Sequence, residues 1–193
     1  MGGDWLAGRL APRQRRSRAC RGLAWFGAAA GVGGVHALAS LYWALGGDWL
    51  INTVGRWAVD WRNRRPNEVA LILSLIVVMK TAGCVVPLLN AAGRLPAPQL
   101  WRGLSWCGAI GLIGYGGINT LAAWATLAGL LSEDPIDDPG ALLGHAALWD
   151  PLFLLWGVFL LLGLRASRPS REGPPSEPGD TTRASHPRNQ PSS

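Results

Sequence analysis

VALILSLIVVMKTAGCVVPLL, residues Val69–Leu89, is an apolar run with one charge near its middle, Lys80, the only lysine in a chain whose other cationic side chains are all arginine. Crossing a hydrocarbon layer of about 30 Å takes roughly 20 residues of helix, so the run predicts a transmembrane helix. Two further blocks of similar kind, residues 23–45 and 104–131, predict two more. A fourth, residues 151–167 with an apolar lead-in from Ala141, is at the lower limit of length. Asp150 is placed there as its N-cap and Pro151 in its first turn. The expected fold class is therefore all-α, a four-helix transmembrane bundle.

The chain has 193 residues, 49% hydrophobic and 16% charged, against roughly 25% charged for an ordinary soluble domain. Its net charge of +6 raises the question of a nucleic-acid partner, but the arginines are distributed as membrane topology would place them. Arg9, Arg13, Arg15, Arg16, Arg18 and Arg21 precede span one, Arg94 and Arg102 lie between spans two and three, and Arg165, Arg168 and Arg171 follow span four. The opposite side holds Arg56, Arg62, Arg64 and Arg65 with the acidic turn Glu133, Asp134, Asp137 and Asp138. The positive-inside bias predicts both termini in the cytoplasm, and the reading excludes nucleic acid. Cys20, Cys84 and Cys107 contain no Cys-x-x-Cys pair and read as small packing residues. Ala37-Leu-Ala39 followed by Ser40 resembles a signal-peptidase site, but the apolar run continues to a full span length beyond it.

Three regions follow. Residues 1–22 are a basic cytoplasmic leader, residues 23–165 the membrane domain, and residues 166–193, rich in Pro, Ser, Thr and Arg, a disordered cytoplasmic tail. In the first outer loop, Val54, Trp57, Ala58 and Trp61 recur at helical spacing, which predicts a short helix in the headgroup layer. Gly46 and Gly47 are expected to stop span one, with Trp49 at the interface. Gly27-Ala-Ala-Ala-Gly31 and the glycines of span three, Gly108, Gly111, Gly114, Gly116 and Gly117, let helix backbones approach closely. Packing inside the bundle is the preferred reading of these small faces; a dimer face, and so a homo-oligomer, is the alternative.

The polar residues at depth are the candidates for function. A lysine near the bilayer centre costs roughly 2.5–3.5 kcal/mol on insertion scales, so Lys80 is expected to face the bundle interior. At about 1.5 Å per residue, His36 in span one and Asn119 in span three fall within one or two turns of Lys80 in depth. Ser40 and Trp43 share the face of His36, Cys84 that of Lys80, and Tyr115 that of Asn119. None of the first three spans contains a carboxylate. Asp150, at the outer start of span four, is then the nearest counter-ion for Lys80; otherwise Asn119, Tyr115 or backbone carbonyls would hydrogen-bond its amine. The candidate polar cluster is Lys80, Asn119, Asp150, His36, Tyr115 and Trp43, acting either as a lock on the bundle or as a site for a ligand or ion.

Tyr42-Trp-Ala-Leu-Gly-Gly47, the span-two lysine, Gly114-Tyr-Gly-Gly-Ile-Asn119 and Leu148-Trp-Asp-Pro-Leu-Phe-Leu-Leu-Trp-Gly157 resemble a family of small four-span bacterial membrane proteins known only as a domain of unknown function. The resemblance covers residues 23–164. It implies a shared fold and groups Tyr42, Trp43, Gly46, Gly47, Lys80, Asn119, Trp149, Asp150, Pro151, Trp156 and Gly157, with no activity attached.

The function expected is a non-catalytic membrane module that binds a small ligand, lipid or partner through the polar cluster, with the lipid bilayer as its surroundings. An oligomeric transporter of small solutes or anions is the alternative, weakened by the lack of a midplane carboxylate. No cofactor or metal is expected. Haem ligation would need His36 and His145, and His145 lies in the lead-in to span four.

Overall fold

A computed structural model describes the backbone of residues 4–131 and 136–167, and side chains from residue 20 onward within them. The disordered tail is expected from residue 166, but Ala166 ends the last helix and Ser167 caps it; the tail from residue 168, with Glu133 and Asp134 of the acidic turn, lies outside the described residues. Within them the regular structure is helical: α1 (Asp4–Ala44), a 3₁₀ turn (Ile51–Thr53), α2 (Arg56–Arg64), α3 (Pro66–Ala91), α4 (Pro98–Leu127), α5 (Pro139–Gly144), a π-helical turn (His145–Trp149) and α6 (Asp150–Ala166). Four helical segments are long and apolar enough to cross a membrane: Cys20–Ala44, Pro66–Ala91, Pro98–Leu127 and Pro139–Ala166. The chain is a multi-pass membrane protein.

Span two runs Pro66–Ala91 and span three Pro98–Leu127, a few residues off the expected 69–89 and 104–131, and two further boundaries differ more. Helical backbone begins at Asp4 and runs unbroken into the first span, so the leader is not set off from it by a break. The fourth span begins at Pro139, not at residue 151. Asp138 caps it, its carboxylate accepting from the Ala141 amide at 3.1 Å, and Asp150 sits well inside it in helical conformation (φ −75°, ψ −38°). The lead-in from Ala141 is itself helix because the chain widens to a π turn just before Pro151. Proline inside a helix removes one backbone hydrogen bond and its ring presses on the carbonyl four residues back, and a π turn relieves that strain.

Span one stops as its glycines predict. Gly46 has φ 91°, and the amides of Gly46 and Gly47 close back on the carbonyls of Trp43 and Tyr42 at 3.1 and 2.9 Å, the glycine-ended helix stop that a Cβ would hinder.

The helices pack in the lateral order α3, α1, α6, α4, with α1 and α6 central and α3 and α4 touching little. On α1 the buried residues Phe26, Ala29, Gly33, His36, Ser40 and Trp43 recur at spacings of three and four along one stripe. Its lower end joins Cys84, Trp156 and Leu160 in one apolar cluster; its upper end joins Ile51 and Trp149 in another. The α4–α6 contact depends on two glycines facing opposite ways. A Cβ at Gly116 would collide with the Leu154 backbone nitrogen, and one at Gly157 would lie 2.8 Å from the Ile113 nitrogen.

The expectation for the other glycines needs correction. Cβ atoms at Gly27, Gly31, Gly108, Gly111 or Gly114 would meet nothing within 4 Å. The Gly27-x-x-x-Gly31 element and most of the α4 glycine face are thus not used for packing among the described residues. The contact on α1 is at Gly33, where a Cβ would lie 2.5 Å from the Trp156 ring and 2.6 Å from Cys84 Sγ.

The helix expected in loop one is present as α2, and it is tied down by polar contacts. Arg62 donates to the Gly47 carbonyl at 2.6 Å. The Arg56 amide donates to Asp138 at 2.9 Å, and its guanidinium donates to the Asp137 carbonyl. These contacts brace loop one against the start of span four. The Ala141 and Arg56 amides hold the Asp138 carboxyl below its ordinary range.

Candidate functional site

Two polar centres lie between the apolar clusters, joined through one peptide group. The first is built on α1 and α3. Lys80 Nζ lies 3.0 Å from His36 Nδ1 and donates to Ser40 Oγ at 2.9 Å. Ser40 in turn donates to the His36 carbonyl at 3.2 Å. His36 Nε2 lies 3.3 Å from the Trp149 carbonyl. A carbonyl only accepts, so Nε2 carries the hydrogen, Nδ1 presents its lone pair, and Lys80 donates to it. Phe153 forms the floor: the His36 ring is 3.9 Å from it, centroid to centroid, and the Lys80 ammonium lies 5.4 Å above it, within reach of a cation–π attraction. His36 and Ser40 are buried, so the amine is solvated by fixed dipoles and a ring.

Asp150 forms the second centre. It is 1% exposed. Its Oδ2 is 3.0 Å from His145 Nδ1, and its Oδ1 is buried with no partner among the described residues. His145 Nε2 lies 3.3 Å from the Val54 carbonyl, and Trp149 Nε1 donates to Thr53 Oγ1 at 2.9 Å. The π turn therefore holds the 3₁₀ turn of loop one by both its ends, and its last carbonyl is the one that orients His36.

The sequence placed these residues with mixed success. His36 is the direct partner of Lys80. Asp150 is not its counter-ion: the carboxylate is taken by His145, five residues earlier. Asn119 donates to the Tyr115 carbonyl of its own helix at 3.0 Å, and Tyr115 is 54% exposed, its ring meeting Phe153 edge-on at 5.4 Å. Neither reaches the Lys80 amine. Trp43 donates to the Trp49 carbonyl at 2.9 Å and packs edge-on against Trp149 at 5.1 Å, anchoring the loop. Ser40, Phe153 and His145 were missed as site residues. Ser40 was visible on the face of His36, but nothing in an α-helical reading puts His145 beside Asp150.

Because α3 and α4 stand apart, a groove opens between them with α6 as its floor. It encloses about 460 Å³ and is lined by Lys80, Gly83, Pro87, Leu104, Phe153 and Trp156 among others. Trp156 Nε1, a buried donor, has no partner among the described residues. Lys80 and Pro87 are seven residues apart, roughly 10 Å of groove at 1.5 Å per residue.

A four-span all-helical membrane protein with a lysine held inside the bundle is thus the class that fold and site define. Residues 32–160, more than half of the chain, match the DUF3995 family, described as proteins of unknown function, and the chain belongs to that family. No curated protein and no solved structure matches it.

Proposed function

We propose that the protein binds an amphiphilic small molecule in the groove between α3 and α4, its anionic or hydrogen-bond-accepting head at Lys80 and its apolar body along Gly83, Pro87, Leu104 and Phe153. One observation carries this reading: a cationic side chain, fixed by His36 and Ser40, forms part of the wall of an otherwise apolar groove. An ammonium has three hydrogens, and His36 and Ser40 take two. The third offers a donor to an incoming oxygen, and a charge-assisted bond of this kind contributes roughly 1.5–3 kcal/mol. We place the protein in a bacterial cell membrane with both termini in the cytoplasm, on the arginine asymmetry.

The test is quenching of tryptophan fluorescence by a spin-labelled fatty acid in lipid nanodiscs. Lys80→Met keeps the length of the side chain and should weaken binding about tenfold or more, with the helical circular dichroism unchanged. Gly108→Leu, which fills the groove from a position with open space, should also block it. Equal affinity in both variants overturns the reading.

A second reading, an oligomeric transporter of small solutes or anions, is favoured by the α4 surface. Gly111 and Gly114 face open space there, and Tyr115 is exposed, where a second copy would cover a polar group that lipid does not satisfy.

A further inference from the structure

The groups around His145 leave it without an arrangement in which the ring is neutral, the carboxylate is charged and both of its hydrogen bonds survive. Nε2 faces the Val54 carbonyl at 3.3 Å, which can only accept. Nδ1 faces Asp150 Oδ2 at 3.0 Å, which can donate only if the carboxyl is protonated. A neutral imidazole has one N–H, so a neutral ring beside a carboxylate can satisfy one of these two acceptors and must turn its lone pair toward the other. Both bonds form only when the pair holds one more proton, as imidazolium with carboxylate or as imidazole with carboxylic acid. Exchanging the two ring nitrogens changes nothing, since each site is an acceptor.

We propose that His145 and Asp150 form a proton-binding site, and that its single proton latches loop one to the fourth span. The His145 side chain is 36% exposed and that of Asp150 2%, so protons enter from the loop end through the imidazole. The remaining titratable and charged groups around the pair are accounted for. On α1, His36 is committed to the Trp149 carbonyl, and beyond it on α3 Lys80 is committed to His36 and Ser40. On α4, Tyr115 stands next to Gly116, the residue that meets the Asp150 backbone. At the start of α5, Asp138 is paired with Arg56. From the 3₁₀ turn the pair meets the Val54 carbonyl, which does not titrate. When the pair loses its proton, one of the two bonds is lost. If the ring keeps its hydrogen toward Asp150, the Val54 bond opens, and among the described residues the side-chain hydrogen bond left between the two turns is Trp149–Thr53, beside the apolar contact of Ile51 with Trp149. This inference does not depend on the groove having a ligand.

The experiment uses the full chain in nanodiscs with ¹⁵N-labelled histidine, titrated from acid to alkaline. The expected result is one step in the His145 ring resonances, with the amide protection factors of residues 51–55 falling at the same midpoint. Asp150→Asn separates a latch from a mere packing contact, because an asparagine N–H can donate to the ring lone pair of a neutral imidazole. That variant should keep loop protection and lose its dependence on pH. Loop protection that is flat with pH in the unaltered protein overturns the proposal, and so does the same pH step persisting in Asp150→Asn. If the variant fails to fold, the coincidence of the two midpoints in the unaltered protein decides by itself.

Discussion

At the scale of single residues, the lysine shows how a membrane interior accepts a charge. Its amine is held by a ring nitrogen, a hydroxyl and an aromatic face, all from residues that packing already fixes. Ser40 is the smallest of these and the most exacting, because it accepts from Lys80 and donates to its own helix. Ser40→Ala removes an acceptor from a part-buried amine and should cost about 1–3 kcal/mol, read as a lower melting temperature in detergent with the groove volume little changed. The inward direction of Lys80, toward His36 and Ser40, was legible in the sequence, since no other orientation is tolerable for a lone cation in the middle of a span. Which polar groups would meet it was less legible. Depth arithmetic put His36 and Asn119 on one level, but the direction in which each faces around its helix depends on lateral order, and α4 lies across the groove from α3. Asn119 therefore ends up bonded to its own helix.

At the scale of elements, the π turn accounts for the largest departure from expectation. His145 and Asp150 are five residues apart, which an α-helix places on different faces and a π turn brings into line. Pro151 is the one local signal for that turn, and the same proline suits equally well the first turn of a new helix, which is how the sequence reads. The choice is settled only by Asp138, which caps the helix thirteen residues upstream of Pro151. Glycines pose the same problem of direction. Their spacing marks small faces but does not say which face has a neighbour. Gly157→Val should push α6 away from α4 and destabilise by about 1–3 kcal/mol or more, whereas Gly27→Val, in open space, should fall within about 0.5 kcal/mol of the unaltered protein. Thermal unfolding followed by circular dichroism in one detergent compares the two. A reversed ranking would mean that the Gly27 element is the packing face after all.

At the scale of the whole molecule, the number of spans and their order in the chain follow from composition, because hydrocarbon thickness leaves few alternatives. The lateral order α3, α1, α6, α4 does not, since four apolar rods can be arranged in several ways at similar cost. That order leaves the α4 surface unpartnered, and Cys107 is exposed on it. If copies associate there, mild oxidation in native membranes should yield a disulfide-linked dimer that Cys107→Ser abolishes and Cys20→Ser does not. A ladder indifferent to Cys107 would place any association on another face. The gap between α3 and α4 also fixes the route of approach. A guest would arrive sideways out of the acyl chains without passing through water, so its occupancy would follow its mole fraction in lipid. Diluting a sample with buffer would leave such a complex intact, and adding empty vesicles would dissociate it.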